Sequence, residues 1–305
     1  VSGISFILLQ VKKLKKINLY EKLLIIIFGF LFFPFLISIP YYLSVYNLSF
    51  LDCYFESVSG FTSTGFTIFN DIKYIDESII IWRSTSQWLG GLFFLFSLIL
   101  LIDVSSFKLK NFLTSFVSIN IAEIKKKFFK IFIIYFLLTI IIFILLKFAD
   151  FRLFDSLNLS MTFISSGGFL PSNTLAEIAN NNNKIFIVSI SMLFSFFNLY
   201  LLYNLITVKN KIDLYQEDIL LSFYLIFLIF ISYIFFNNYD SYQVIFLSTI
   251  SSISNIGIGL NNSPKELSIV FLFLTIIGGG LFSTSSGIKF IKFIFLIKYS
   301  FNELF

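Results

Sequence analysis

The sequence predicts an all-α membrane protein. Its repeating unit is a transmembrane helix, a short re-entrant helix, an extended small-residue strand and a second transmembrane helix. Three observations predict this. The 305 residues are 57% hydrophobic and 13% charged, against about 45–50% and about 25% in an ordinary soluble domain. The apolar residues, 45 phenylalanines among them, fall into runs that approach the ~20 residues of a bilayer crossing. Between those runs a shorter apolar motif ending in glycine occurs three times. A disordered chain, a collagen and a typical water-soluble enzyme are excluded as first readings.

The chain opens on a mostly apolar stretch followed by Lys12, Lys13, Lys15 and Lys16. It reads as the tail of a helix that begins earlier, so residues 1–21 are expected to be the end of an N-terminal helical part and a basic loop. Crossings are predicted at 22–43, 80–102, 128–148, 185–206, 219–236 and 267–297. Each is helical because an open strand edge has no partners in hydrocarbon. The first contains Pro34 and Pro40, and Pro40 is placed to end it. The last is interrupted by glycines and serines. The units are therefore 22–106, 128–208 and 219–305, joined by inner linkers 107–127 and 209–218.

If the N-terminal side is cytoplasmic, the inner segments carry 16 of the 22 basic residues. The exceptions are Lys73, Arg83, Lys147, Arg152, Lys184 and Lys265. This asymmetry follows the positive-inside rule with an even number of crossings. The basic clusters are short and flank the spans, which suits anionic lipid and argues against nucleic acid. Cys53 is the only cysteine and histidine is absent, so neither an internal disulfide nor a thiolate metal cluster can form. No nucleophile–base pattern and no GxxxxGK[ST] phosphate loop is visible, so an enzyme is not expected.

The three outer motifs run from Asp52 to Gly65 (DCYFESVSGFTSTG), Asp155 to Gly168 (DSLNLSMTFISSGG) and Asp240 to Gly257 (DSYQVIFLSTISSISNIG). An apolar segment this short suits a re-entrant or interfacial helix. The leading aspartate suits a helix N-terminus. Small side chains ending in glycine let a strand stay extended and turn its carbonyls inward. Non-helical backbone at membrane depth is tolerated only when buried in protein or lining a watery cavity. A ring of carbonyls can replace the hydration shell of a monovalent cation. The alternative for each motif is a turn at the membrane surface.

These residues resemble the superfamily of potassium uptake channels and transporters called Trk, Ktr and HKT, most nearly its TrkH-type membrane subunits. FESVSGFTSTGFTIF (55–69) resembles the family's first pore helix and filter, and WRSTSQWLGG (82–91) the start of the following helix. FISSGGF (163–169) is similar to the second filter, and GGGLFSTSSGIKFIK (278–292) to the broken helix after the third. The resemblance implies four units around one pore, of which three are expected here, so the chain reads as an internal part of a longer subunit.

The implied filter residues are Thr62, Ser63, Thr64 and Gly65, then Ser165, Ser166, Gly167 and Gly168, then Ser254, Asn255, Ile256 and Gly257. Potassium would sit at their carbonyls as substrate. The third set lacks the family's usual threonines and is similar in part to a fourth filter. The implied gate comprises Gly278, Gly279, Gly280, Ser283, Thr284, Ser285, Ser286, Gly287 and Lys289. Small residues there also suit a close helix-packing face, and Lys289 also suits an inner-surface anchor. Arg83 either meets short-helix ends or snorkels to the outer surface, and Glu56 is expected to add negative potential to an outer vestibule.

The resemblance further implies potassium uptake at a bacterial inner membrane, with the basic N-terminal run cytoplasmic. It implies a homodimer on a cytoplasmic nucleotide-binding regulatory subunit, and no cofactor in this chain. The alternatives are a sodium-permeable relative and, for a three-unit chain, a nonconducting membrane scaffold.

Overall fold

The computed structural model describes residues 19–44, 46–101, 121–199, 216–236, 242–260 and 268–304. The basic run at 12–16, linker residues 107–120 and 209–215, Asp240 and residues 200–206 of the fourth predicted crossing lie outside the described residues.

The chain order is α1 (Leu19–Tyr42), α2 (Phe50–Phe61), α3 (Glu77–Leu101), α4 (Ile121–Phe148), α5 (Leu153–Ile164) and α6 (Asn182–Met192). It continues with α7 (Gln216–Phe236), α8 (Tyr242–Ile253), α9 (Ser268–Leu274), β1 (Ile277–Gly278), β2 (Ile288–Lys289) and α10 (Phe290–Leu304). Among the described residues four stretches are long and apolar enough to cross a membrane: Leu19–Tyr42, Glu77–Leu101, Phe128–Phe148 and Glu217–Ile234. Their outer faces are apolar. On α1 alone Leu24, Ile27, Phe28, Leu31 and Phe35 are exposed. Glu56, Arg83, Gln87, Asn158, Glu217 and Lys289 are buried instead. Such a distribution suits a hydrocarbon solvent and a polar interior.

α1 runs through both prolines and continues past Pro40 to Tyr42. Pro40 therefore does not end the helix. Neighbouring helices supply donors on either side of Pro34: Tyr54 Oη donates to Leu31 O (3.2 Å) and Trp82 Nε1 to Ile37 O (3.0 Å).

The predicted crossing at 185–206 is not one continuous helix. α6 ends at Met192, and a 3₁₀ turn over Leu193–Ser195 carries the chain to Phe196, where helix stops. The reason lies in a second break. α9 stops at Leu274, and a parallel pairing of Ile277 with Ile288 and Gly278 with Lys289 closes a loop before α10 starts. The two irregular segments bond to each other. Gly280 N donates to Phe196 O (2.9 Å), Ser285 N to Ser195 O (3.1 Å), and Leu199 N to Phe282 O (3.0 Å). Each break thus satisfies backbone groups that the other leaves open.

The largest buried cluster joins residues of α3, α4, α5, α6 and α8, with Leu281 and Phe282 from the loop. Within it α3 approaches the end of α2 very closely. A Cβ at Gly90 would lie 2.6 Å from the Phe61 carbonyl carbon and 2.9 Å from its Cα. Backbone cannot yield there as a flexible side chain would. Gly90→Ala is expected to destabilise the protein by about 1–3 kcal/mol through overpacking, read as a lower unfolding midpoint in detergent. Gly257→Ala, at a site with open space but a φ of 73°, separates backbone strain from crowding.

Candidate functional site

α2, α5 and α8 are each 12 residues long and end alike. The amides of Thr64, Gly167 and Ile256 donate to the carbonyls of Ser59, Thr162 and Ser251, at 2.9, 2.8 and 3.0 Å. Those of Ser63, Ser166 and Asn255 donate to Gly60, Phe163 and Ser252, at 3.0, 3.2 and 3.2 Å. This pair of bonds is the Schellman helix ending, which needs a left-handed residue at its turn. That residue is Ser63, Ser166 or Asn255, with φ of 54°, 55° and 58°. The conformation costs a non-glycine residue roughly 1–2 kcal/mol. Gly65, Gly168 and Gly257 follow two residues later, also at positive φ.

The hydroxyls at the helix ends are occupied. Thr62, Ser165 and Ser254 donate to the carbonyls of Val58, Met161 and Ile250, at 2.7, 2.8 and 2.7 Å. Ser59 Oγ and Thr162 Oγ1 donate seven residues forward, to Phe66 O (2.5 Å) and Phe169 O (3.0 Å). The small-residue segments are therefore not extended from the start, since their first half completes a helix. The register of hydroxyl or amide side chains two residues before each glycine was the available sequence signal. Asp52 and Asp155 are first-turn residues and not the caps themselves: Ser49 caps α2 and bonds Asp52, and Asp155 pairs with Arg152.

The three turns meet. A Cβ on Gly65 would lie 3.3 Å from Gly168 Cα, and one on Gly168 would lie 3.0 Å from Ile256 O. Ser166 Oγ donates to Ser254 O. Thr62–Gly65, Ser165–Gly168 and Ser254–Gly257 thus gather at one place from three short helices distant in sequence.

α3 lies against two of these turns. Its Arg83 is 1% exposed and Glu56 0%, so neither side chain reaches an outer surface. Arg83 Nε donates to Glu56 Oε1 (2.8 Å), Arg83 Nη2 to Thr67 Oγ1 (2.9 Å), and the Ile68 amide to Glu56 Oε2 (2.9 Å). One helical turn on, Gln87 Oε1 accepts from Phe169 N at 3.4 Å.

The Gly278–Lys289 segment lies beside this gathering. Thr284 Oγ1 donates to Ile164 O (2.7 Å) at the end of α5, and Asn255 Nδ2 to Ser286 O (3.4 Å). Inside the loop Gly279 N donates to Ser285 Oγ (2.8 Å), and Ser283 Oγ donates to Gly280 O (2.6 Å). Lys289 is buried, which overturns the surface-anchor reading. Its ammonium donates to Ser283 O (2.8 Å), Ser285 O (2.6 Å) and Ser283 Oγ (3.0 Å). Glu217 Oε1 at the start of α7 accepts from Leu281 N at 2.7 Å. Close packing is also real, because a Cβ on Gly279 would lie 2.8 Å from Phe196 C. Between the loop and the first two turns lies a cavity of about 390 Å³, lined by Thr62, Ser63, Ser165, Ser166, Thr284 and Lys289 among others. Among the described residues no group of His, Cys, Asp and Glu could hold a metal ion.

Apolar outer faces, four long apolar helices and three converging turns define a multi-pass membrane protein with an interior rich in backbone oxygens and hydroxyls. No protein-family profile matches the sequence. The chain's homologues are Trk potassium uptake proteins and a cation transporter. It is 30% identical over 98% of its length to an uncharacterized cation transporter of Methanocaldococcus jannaschii, matching 63% of that protein. It is 26% identical over 92% of its length to the Trk system potassium uptake protein TrkG of Escherichia coli, matching 62% of it. The crystal structure of the potassium transporter TrkH from Vibrio parahaemolyticus superposes with a TM-score of 0.79 at 20% identity, covering 96% of this chain and 63% of that one. That likeness establishes the fold. The chain spans about three fifths of the length of these relatives.

Lys289→Met removes the donors that hold Ser283 O and Ser285 O. Amide exchange over Gly279–Ser285 is expected to accelerate at least tenfold, about 1.4 kcal/mol of lost local stability. Hydrogen exchange read by mass spectrometry checks this. Unchanged protection would mean that backbone pairing with the Ser195–Leu199 segment suffices to hold the loop.

Proposed function

We propose that the protein moves potassium across a membrane along a path shared by its three glycine turns. An ion loses water at the turns and is coordinated by backbone oxygens of Thr62–Gly65, Ser165–Gly168 and Ser254–Gly257. It passes into the cavity beneath and leaves when the Gly278–Lys289 loop yields. The cation is not altered chemically, and downhill movement is driven by concentration and by voltage, about 2.3 kcal/mol per charge per 100 mV.

The convergence of the three turns carries this reading. Three identical helix endings, each followed by glycine at positive φ, bring non-helical backbone together inside a membrane fold, where such backbone must be buried or line a cavity. The named activities of TrkG and TrkH agree with it. The short helices α2, α5 and α8 are re-entrant in this reading, and each belongs to one of three units in a pore completed by a fourth. The whole protein would sit in the inner membrane with its basic N-terminal run cytoplasmic, as a homodimer carrying a nucleotide-binding regulatory subunit.

The test is cation flux through the full-length protein reconstituted in liposomes, with potassium and sodium compared. Potassium flux well above protein-free liposomes is expected, with sodium at least tenfold slower. Equal rates would make it a sodium-permeable transporter, and absence of flux through the 305-residue chain alone would make that three-unit chain a nonconducting scaffold. Gly168→Ala, whose Cβ would press on Ile256 O and Gly65 Cα, is expected to lower the potassium-to-sodium ratio roughly tenfold, about 1.4 kcal/mol of lost discrimination.

A further inference from the structure

Arg83 touches two of the three turn segments at once. On one side its guanidinium holds Glu56 and Thr67. Glu56 in turn accepts from the Ile68 amide, three residues beyond Gly65. On the other side the guanidinium carbon lies 4.2 Å above the ring of Phe169, the residue directly after Gly168. Phe69 flanks it at 5.5 Å. The α3 face continues this contact. Gln87 meets the Phe169 amide, and a Cβ at Gly91 would lie 3.1 Å from Ser165 Cα. The first and second turns therefore rest side by side against one helix face, and Arg83 is its charged member.

We propose that Arg83 is a positioning residue that sets the spacing between the first and second glycine turns and thereby the path's preference among monovalent cations. This rests on the permeation reading above. The physical reason is the shape of the group. A guanidinium is planar, so it can fork onto a carboxylate and a hydroxyl in its plane while stacking on a ring with its face. An ammonium in the same place can meet the carboxylate or approach the ring, but it cannot fix both distances. Burial matters too, because Glu56 and Arg83 are shielded from solvent and their geometry is set by one another and their neighbours. Coordinating oxygens held a few tenths of an ångström apart from their best positions favour a different ion radius.

The experiment uses the full-length protein and two single variants with their double. Arg83→Lys keeps the charge and loses the planar fork. Phe169→Leu removes the ring and leaves the Glu56–Arg83 pair intact. Each is expected to lower the potassium-to-sodium flux ratio at least fivefold while potassium flux per inserted protein stays measurable. The double variant is expected to lose no more than the larger single, because both act on one contact. Hydrogen exchange at the amides of Ile68 and Phe169 is read in parallel and is expected to rise in Arg83→Lys on both sides of α3. An unchanged ratio in both singles overturns the proposal, and faster exchange with that unchanged ratio reduces Arg83 to a structural anchor. Additive losses overturn the single-contact mechanism. If the unsubstituted protein passes neither cation while exchange still rises, the permeation reading fails and Arg83 remains only a brace between two segments.

Discussion

Backbone polar groups that leave a helix inside hydrocarbon find no water, and the helix breaks among the described residues are arranged around that constraint. The three turns after α2, α5 and α8 close their own helix ends through paired amide bonds and hydroxyl donors. Two further breaks, after Ser195 and after Leu274, add to their local closing bonds a set that joins them to each other. Where the backbone still has open groups, buried side chains serve: Glu217 for the Leu281 amide, Glu56 for that of Ile68, and Lys289 for the carbonyls of Ser283 and Ser285.

The same constraint explains where the polar residues sit. Phenylalanine and leucine cover the outside, whereas the interior joins an apolar core to buried serines, asparagines, a glutamine and a few charged groups. Aromatic rings also pack where half-buried Phe30 and exposed Phe33 of α1 meet Phe61 and Phe93. They hold the end of α2 in place without competing for its hydrogen bonds. Glycine has a complementary use on α3, where Gly90 and Gly91 admit neighbouring backbone.

Much of this was legible in the sequence, though unevenly. Four long crossings could be read from the apolar runs, because length and composition alone decide them. The gathering of Gly65, Gly168 and Gly257 into one region was foreseeable from the threefold motif. Its local form was not, because a left-handed serine carries no distinctive composition: Ser63 and Ser166 look like any other small residue. The break at Phe196 was illegible for a different reason. Ser195 and Asn198 beside it are no stronger an interruption than those within the continuous helices, and its partners lie more than eighty residues away in the Gly279–Ser285 loop. Arg83 and Glu56 were visible as charges. Their mutual burial depended on a tertiary contact that spacing could not announce.

Interlocked breaks have a mechanical consequence. Since Phe196 O and Leu199 N are tied to Gly280 and Phe282, neither strip can shift without stripping partners from the other. Glu217 fastens the same loop to the start of α7, and Thr284 fastens it to the end of α5. A displacement would therefore be a collective rearrangement of three helix ends, with few intermediate positions of low energy. Such a clasp behaves as a latch with two settings more readily than as a hinge that swings by degrees.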